Sequence, residues 1–127
     1  MYPDVFALLN VPAIRAFVGT APPRIFRHRA SPKQTPAAPY ITWGSTVGIP
    51  ENHLDGTPPV DRYSITVDCW SENTGEGAVE INELAQAVRD QIETAHDIES
   101  FDADLRDPET MRYRASLTFT WWADRPT

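Results

Sequence analysis

Four acidic residues cluster near the carboxyl end of the sequence, where they could bind a divalent cation. Residues 101–110 read FDADLRDPET, which includes Asp102, Asp104, Asp107 and Glu109. In a calcium-binding loop, carboxylates at alternate positions supply oxygen ligands and a glycine permits a sharp turn. Arg106 occupies the third ligand position here, and the segment has no glycine. The favoured interpretation is therefore a solvated turn at Asp107-Pro108.

Histidine and cysteine, the other common metal ligands, are few and widely spaced. The histidines are His28, His53 and His96, and their spacing matches no zinc motif, which favours solvated or helix-capping side chains. The single cysteine, Cys69, alternates with apolar residues. We favour a buried thiol over a reactive one, because no histidine or basic residue alternates onto the same face.

The sequence offers no residue-level support for catalysis. It has no nucleophile elbow and no glycine-rich phosphate loop. With a single cysteine no intramolecular disulfide can form, which makes the reducing cytosol the natural compartment. These residues support neither an enzyme, a cofactor site nor a metal site, and the question of catalysis stays open at this point.

A basic segment at residues 24–33, RIFRHRASPK, stands out in an otherwise acidic chain. It contains Arg24, Phe26, Arg27, His28, Arg29 and Lys33. Three interpretations stay open: contact with DNA phosphates, contact with an acidic protein surface, or a solvated edge and loop. Phe26 between the arginines favours a protein contact. The formal net charge of -7 argues against general affinity for nucleic acid, because phosphate binding requires a cationic surface.

Two separated segments alternate in the same way and predict two strands with similar faces. Residues 61–70 read DRYSITVDCW and residues 113–122 read YRASLTFTWW. One face of each strand is apolar and typical of a core. The opposite faces carry Arg62, Ser64, Thr66, Asp68 and Trp70 in the first segment, and Arg114, Ser116, Thr118, Thr120 and Trp122 in the second. Two exposed tryptophans would indicate a partner surface, and the alternative that each packs under a loop stays open.

The first half of the sequence predicts short elements separated by proline-rich connections. These elements are helices at residues 2–10 and 13–18, an edge strand at 24–27, an exposed loop at 30–39, a strand at 40–47 that buries neither face cleanly, and a second loop at 48–59. The second loop has a length at which connections are usually functional or mobile.

Residues 76–96 predict a long amphipathic helix, capped by Asn73 or Thr74. Its apolar stripe consists of Ile81, Leu84, Ala85, Val88, Ile92 and Ala95. A strand at 98–105, a turn at 106–109 and a last strand at 113–122 follow. We predict one domain at residues 1–127, an α+β two-layer sandwich. In it an N-terminal helical segment and the long helix accompany a largely antiparallel sheet, and the long helix packs on one face.

Neither membrane insertion nor export is expected. The longest apolar run is far below the roughly 20 residues that a membrane-spanning helix needs. The N-terminus carries Asp4 and two prolines where a secretory signal has a basic start and an unbroken apolar run.

The order of these segments resembles the tail completion or tail terminator proteins of long-tailed bacteriophages. The segments that carry the resemblance are FALLNVPAIRAFVG, RIF, PYITWGSTVGIPENHL, DRYSITVDCW, LAQAVRDQI and RDPETMRYRASLTFTWW. They extend from about Val5 to Trp122, and their order and spacing are the specific signal.

The resemblance implies a small α+β subunit that forms a ring, typically hexameric, at the head-proximal end of the tail tube. Such a ring stops tube polymerisation and docks to the DNA-filled head. The implied partners are other copies of the chain, the major tail tube protein and the head-tail connector proteins. The implied location is the virion tail of a phage or prophage, after assembly in the cytoplasm of the bacterial host.

The resemblance further implies no catalysis and no cofactor, and genomic DNA that passes nearby without sequence-specific binding. Two alternatives stay open. The closest is another head-tail joining or minor tail protein. The second is a small cytosolic α+β domain that binds a ligand or acts as an enzyme.

Head-to-tail contacts between identical subunits require two different patches. We expect subunit or tail-tube contacts on the basic segment and on the second loop, at Arg24, Phe26, Arg27, Arg29, Pro50, Asn52, His53 and Leu54. We expect the polar strand faces to meet other subunits or to line the lumen, where short neutral hydroxyl groups would let DNA slide. Those residues are Arg62, Ser64, Thr66, Trp70, Arg114, Ser116, Thr118 and Trp122.

Overall fold

Helices and strands alternate along the chain in the order ααββββαββ. The computed structural model describes residues 3–20, 22–27, 37–45, 49–50, 60–108 and 111–124. The helices are α1 (Val5–Leu9), α2 (Pro12–Val18) and α3 (Gly75–Glu93). The strands are β1 (Ile25–Arg27), β2 (Tyr40–Ser45), β3 (Ile49–Pro50), β4 (Val60–Ser71), β5 (Ile98–Arg106) and β6 (Tyr113–Asp124).

The strands form one mixed sheet in the order β1-β2-β4-β6-β5. The short strand β3 pairs with β4 beside Asp61 and Arg62, beyond the end of β2. Only β1 and β2 are parallel, and the other described pairings are antiparallel. The α+β prediction with a largely antiparallel sheet is therefore confirmed.

The two segments with similar alternation are direct neighbours. They form β4 and β6, which pair over their full length from Val60↔Asp124 to Ser71↔Tyr113. Because the pairing keeps both alternations in phase, the apolar residues of both strands point to one side of the sheet. Ile65 and Phe119 form one such apolar pair, and both are fully buried.

All three helices contribute to one core on that apolar side. The buried stripe of α3 contains Ile81, Leu84, Ala85, Val88 and Ile92, as the periodicity predicted, but Ala95 lies beyond the end of the helix and is exposed. Val5 and Leu9 of α1 and Ile14 and Val18 of α2 join the same cluster. The Gln91 side chain ties α3 to α1 by donating a hydrogen bond to the carbonyl oxygen of Leu8 at 2.9 Å. The structure is thus two-layered, with helices on one face.

Local sequence signals account for the helix ends. Asp4 caps α1 by accepting a hydrogen bond from the Ala7 amide at 3.0 Å. Of the two candidate caps for α3, Thr74 is the one observed, and its hydroxyl accepts from the Gly77 amide at 3.0 Å. Gly19, which follows α2, has a φ of 86°, a conformation that favours glycine. None of the helices in the described part of the chain is long and apolar enough to cross a membrane.

Several element boundaries differ from the sequence prediction. Helix α3 ends at Glu93 rather than at residue 96, and the predicted second loop contains β3 and ends before Val60. Strand β2 was expected to bury neither face cleanly, but Tyr40, Ile41, Thr42 and Trp43 are all buried. The reason is tertiary, because side chains from neighbouring strands cover β2 on the face that lacks helices.

A matched pair of glycine substitutions tests the packing at the start of α3. A Cβ atom at Gly77 would lie 2.0 Å from the carbonyl oxygen of Glu72, whereas a Cβ atom at Gly75 would meet nothing within 4 Å. We expect Gly77→Ala to lower the free energy of unfolding by about 1–3 kcal/mol, because the backbone must shift. Gly75→Ala should leave it equal or slightly higher, since alanine favours helix.

Urea unfolding followed by circular dichroism measures both variants against the parent chain. Equal stability of the two variants would contradict this packing. The Ser71 hydroxyl donates a hydrogen bond to the carbonyl oxygen of Gly77 at 2.7 Å, so Gly77→Ala is also expected to disturb that buried contact.

Candidate functional site

Among the described residues, no group of three or more His, Cys, Asp or Glu is placed to hold a metal ion. Asp102 is exposed on β5, Asp107 lies in the turn after it, and Glu109 is outside the described residues. The turn is closed by the Asp107 amide, which donates to the Arg112 carbonyl oxygen at 2.9 Å, and by the Met111 amide, which donates to Asp107 at 2.7 Å. Residues 101–106 of the acidic segment thus belong to β5, and the chain turns at Asp107.

Cys69 and His96 are both held by packing. Cys69 is fully buried, as favoured from the sequence, and burial raises the pKa of its thiol, which keeps it unreactive. The His96 ring is not simply solvated, because it stacks on Trp121 with 4.3 Å between ring centroids. Burial lowers the pKa of His96, although a backbone hydrogen bond with Thr120 and the charge of Asp97 oppose that effect. His28 and His53 lie outside the described residues.

The pairing of β4 with β6 brings the two polar stripes side by side. The cross-strand pairs on that face are Arg62↔Trp122, Ser64↔Thr120, Thr66↔Thr118, Asp68↔Ser116 and Trp70↔Arg114. We call these ten residues the polar sheet face. Each of them keeps intermediate or greater exposure. The hydroxyl oxygens of Thr66 and Thr118 lie 3.3 Å apart at its centre, so the face is a flat, hydroxyl-rich surface.

Charged atoms on the polar sheet face lack hydrogen-bond partners among the described residues. Asp68 Oδ1 and Arg114 Nε are both shielded from solvent, and neither has a partner there. Buried polar atoms normally have a partner, since an unsatisfied one costs roughly 1–3 kcal/mol. The Arg114 guanidinium instead lies 5.6 Å from the centre of the Trp70 ring.

The two tryptophans of the polar sheet face have different environments. Trp70 stacks on Tyr40 with 5.8 Å between ring centroids and donates from Nε1 to the Thr42 hydroxyl at 3.1 Å. Trp122, at the opposite end of the strands, is 55% exposed. The sequence left open whether these tryptophans are exposed or packed, and each alternative applies to one of them. Trp70 packs against its own chain, and Trp122 faces solvent.

The basic segment contributes one inward and one outward arginine. The Arg24 guanidinium donates hydrogen bonds to the Pro39 carbonyl oxygen at 2.9 Å and to the Phe17 carbonyl oxygen at 3.1 Å. Arg24 therefore joins the end of α2 to the segment that precedes β2. Arg27 is exposed and lies 5.4 Å from the centre of the Trp43 ring, and Phe26 is half-buried against Tyr40.

Part of the expected contact surface lies outside the described residues. Arg29, Asn52, His53 and Leu54 belong to that part, and of Pro50 only the backbone position in β3 is described. The structure places Phe26 and Arg27 on β1, which is an edge strand as predicted, and Arg24 directly before it.

The sequence interpretation missed the acidic character of the opposite edge. Strand β5 and the residue before it expose Asp97, Glu99 and Asp102, together with the aromatic ring of Phe101. A groove of about 440 Å³ lies between this edge and the end of α3. The alternating acids in DIESFDAD were the available signal, but only Asp102 and Asp104 were considered, and those as metal ligands. One sheet edge is thus basic and the opposite edge is acidic.

Comparison with known proteins gives one result. A family model described as "Tail completion protein gp17" matches residues 5–124, which is nearly the whole chain. No curated protein matches the chain.

Substitution of the two tryptophans tests their different environments. We expect Trp70→Ala to lower the free energy of unfolding by about 1–3 kcal/mol, because it removes the stack on Tyr40 and the hydrogen bond to Thr42. Trp122→Ala should change it by less than about 0.5 kcal/mol, since the side chain is mostly solvated. Urea unfolding followed by circular dichroism distinguishes them, and equal losses would show that Trp122 is also packed.

Proposed function

The chain belongs to the Tail completion protein gp17 family, and from this premise we propose that it forms a ring that caps the head-proximal end of a phage tail tube. The family membership establishes a structural role in the bacteriophage tail. In our proposal, the ring stops polymerisation of the tube and presents a surface to which the head docks. It is built from copies of this chain, six in the arrangement typical of such proteins, and contacts the major tail tube protein and the head-tail connector proteins.

The match over residues 5–124 is the observation that carries this proposal. The shape of the subunit supports it, because a ring of identical subunits needs two different patches on each subunit. The helix-covered face is occupied by the core, which leaves the polar sheet face and two oppositely charged edges for contacts with other molecules.

The polar sheet face has two possible positions in such a ring. It either meets a neighbouring subunit or lines the lumen through which genomic DNA passes. Ser64, Thr66, Ser116 and Thr118 present short neutral side chains, which would not hold the phosphate backbone. The net charge of -7 also favours passage of DNA without binding, because an acidic ring does not retain DNA.

We further propose that the protein assembles in the bacterial cytoplasm and is finally located at the head-proximal end of the tail.

Tails made without the protein test this function directly. We expect electron microscopy to show tubes of uncontrolled length or finished tubes that do not join heads, because nothing caps the growing end. Expression of the chain from a plasmid should restore normal tails. Tails of normal length that join heads without the protein would contradict the proposal.

Charge reversal in the basic segment tests its expected contacts. The double substitution Arg27→Glu and Arg29→Glu should prevent ring formation or tail joining while leaving the chain folded, because Arg27 is exposed. Electron microscopy of tails from phage carrying the variant gives the readout. Asn73→Glu, at an exposed residue before α3, is the control and should form normal tails.

A further inference from the structure

A second groove, of about 530 Å³, lies where the end of α3 meets the polar sheet face. Trp122 lines it on the sheet side. On the other side, Glu93, His96, Asp97 and Glu99 line both this groove and the groove of about 440 Å³ beside the β5 edge. We call these four residues the acidic corner. The two grooves meet there and form one continuous surface.

The acidic corner carries negative charge that its own surroundings do not neutralise. Glu93 forms an ion pair with Arg89 at 2.7 Å, and the Glu99 carboxylate accepts a hydrogen bond from the Thr120 hydroxyl. The side chain of Asp97 is exposed and has no hydrogen bond or ion pair with another described residue. Asp97 is therefore the carboxylate that a partner can engage without breaking a contact within the subunit.

The end of α3 adds partial negative charge at the same place. Backbone carbonyl groups at the carboxyl end of a helix favour a nearby cation. The last turn of α3 has no basic residue, and Glu93 and Asp97 lie at its end and just beyond it. His96 does not supply the cation, because burial lowers its pKa and favours the neutral ring. A cation from outside the subunit would thus be stabilised there.

Each groove also has an exposed aromatic ring. Trp122 is 55% exposed in the groove on the polar sheet face, and Phe101 is 36% exposed in the groove beside β5. The guanidinium group of an arginine binds carboxylates through a planar set of N–H donors and also stacks on aromatic rings. Carboxylates beside exposed rings therefore fit an arginine side chain better than they fit a lysine side chain.

A metal ion and a nucleic acid fit this surface less well. In the described part of the chain, the acids and His96 are not placed to hold a metal ion together. Phosphate groups would be repelled by the carboxylates of the acidic corner. The surface is thus suited to a protein segment with a positive charge.

A second copy of this chain is the poorer source of that charge. Each described arginine already has a contact within its own subunit, such as Arg24 with backbone carbonyl oxygens and Arg112 with Glu72. Transfer of such an arginine to another subunit would break that contact. A different protein, whose arginine is uncommitted, fits better.

We propose that the acidic corner and Trp122 bind an arginine-bearing segment of a different virion protein. In this contact the guanidinium group faces the Asp97 carboxylate and the ring of Trp122. The proposal rests on the proposed function, because a subunit at the junction of tail and head has the tube and connector proteins as neighbours.

Substitutions in the groove test this contact. Asp97→Arg places like charges opposite each other and should lower the yield of infectious particles at least about tenfold, which corresponds to about 1.4 kcal/mol. Trp122→Ala removes the ring and should also lower the yield, although the chain stays folded. Glu83→Arg and Val79→Ala make similar changes at exposed positions of α3 outside both grooves, and their yields should equal that of the parent chain. Thermal unfolding confirms that each variant is folded.

Photo-cross-linking identifies the occupant of the groove. Thr94 is exposed and lines the groove near Asp97, and it is replaced by the photoreactive residue p-benzoylphenylalanine. Assembled particles are irradiated, and mass spectrometry should locate cross-links on an arginine-bearing segment of another virion protein. Replacement of that arginine by glutamate in the Asp97→Arg background should restore the yield to within about threefold of the parent chain, since the two charges again attract each other.

The outcomes distinguish this contact from the function on which it rests. A normal yield from Asp97→Arg, cross-links that reach only a second copy of this chain, no cross-link at all, or a reversed charge pair that stays defective although both proteins fold would each overturn the contact. None of these results bears on whether the protein completes tails. That function fails only if tails made without the protein are normal.

Discussion

The pairing of β4 with β6 is the constraint on which the rest of the structure depends. Both strands alternate apolar and polar residues, and a shift of one residue in their register would turn one apolar set toward solvent. The observed register places Ile65 beside Phe119 and Thr66 beside Thr118. Backbone hydrogen bonds alone do not select this register, because a shift by an even number of residues would keep the same pattern of hydrogen bonds between the strands. Burial of the shared apolar side beneath α3 stabilises it.

Because the core lies on one side of the sheet, the other side is left partly exposed for contacts with other molecules. With the three helices on the apolar side, the polar sheet face stays partly solvated, and in the described part of the chain aromatic rings of neighbouring strands pack together at the end that carries Trp70. There Tyr40, Trp70 and Phe26 pack together, while Trp122 at the other end is exposed. The face is therefore asymmetric along the strands. Such asymmetry suits a structural subunit whose two ends meet different partners.

Charge is distributed as unevenly as packing. The net charge is -7, but the sheet has a basic edge at β1 and an acidic edge at β5, separated by its full width. Arginines also differ in role according to their environment. Arg24 binds backbone carbonyl oxygens and fixes the approach to β2, whereas Arg27 is exposed beside it. A structural member of the tail completion family needs such directed contacts rather than a catalytic pocket.

The sequence by itself determined the elements whose residues show strong periodicity. The α3 stripe and the in-phase alternation of β4 and β6 were predicted, because periodicity reports directly which residues share a face. The edge position of β1 was predicted from its short length. Tertiary structure alone decided that Tyr40 and Thr42 are buried, that Trp70 packs while Trp122 is exposed, and that acids in β5 lie opposite the basic edge. These features depend on which strands are neighbours and on which residues cover them. Strand order arises from contacts between residues far apart in the chain, and local periodicity carries no information about it.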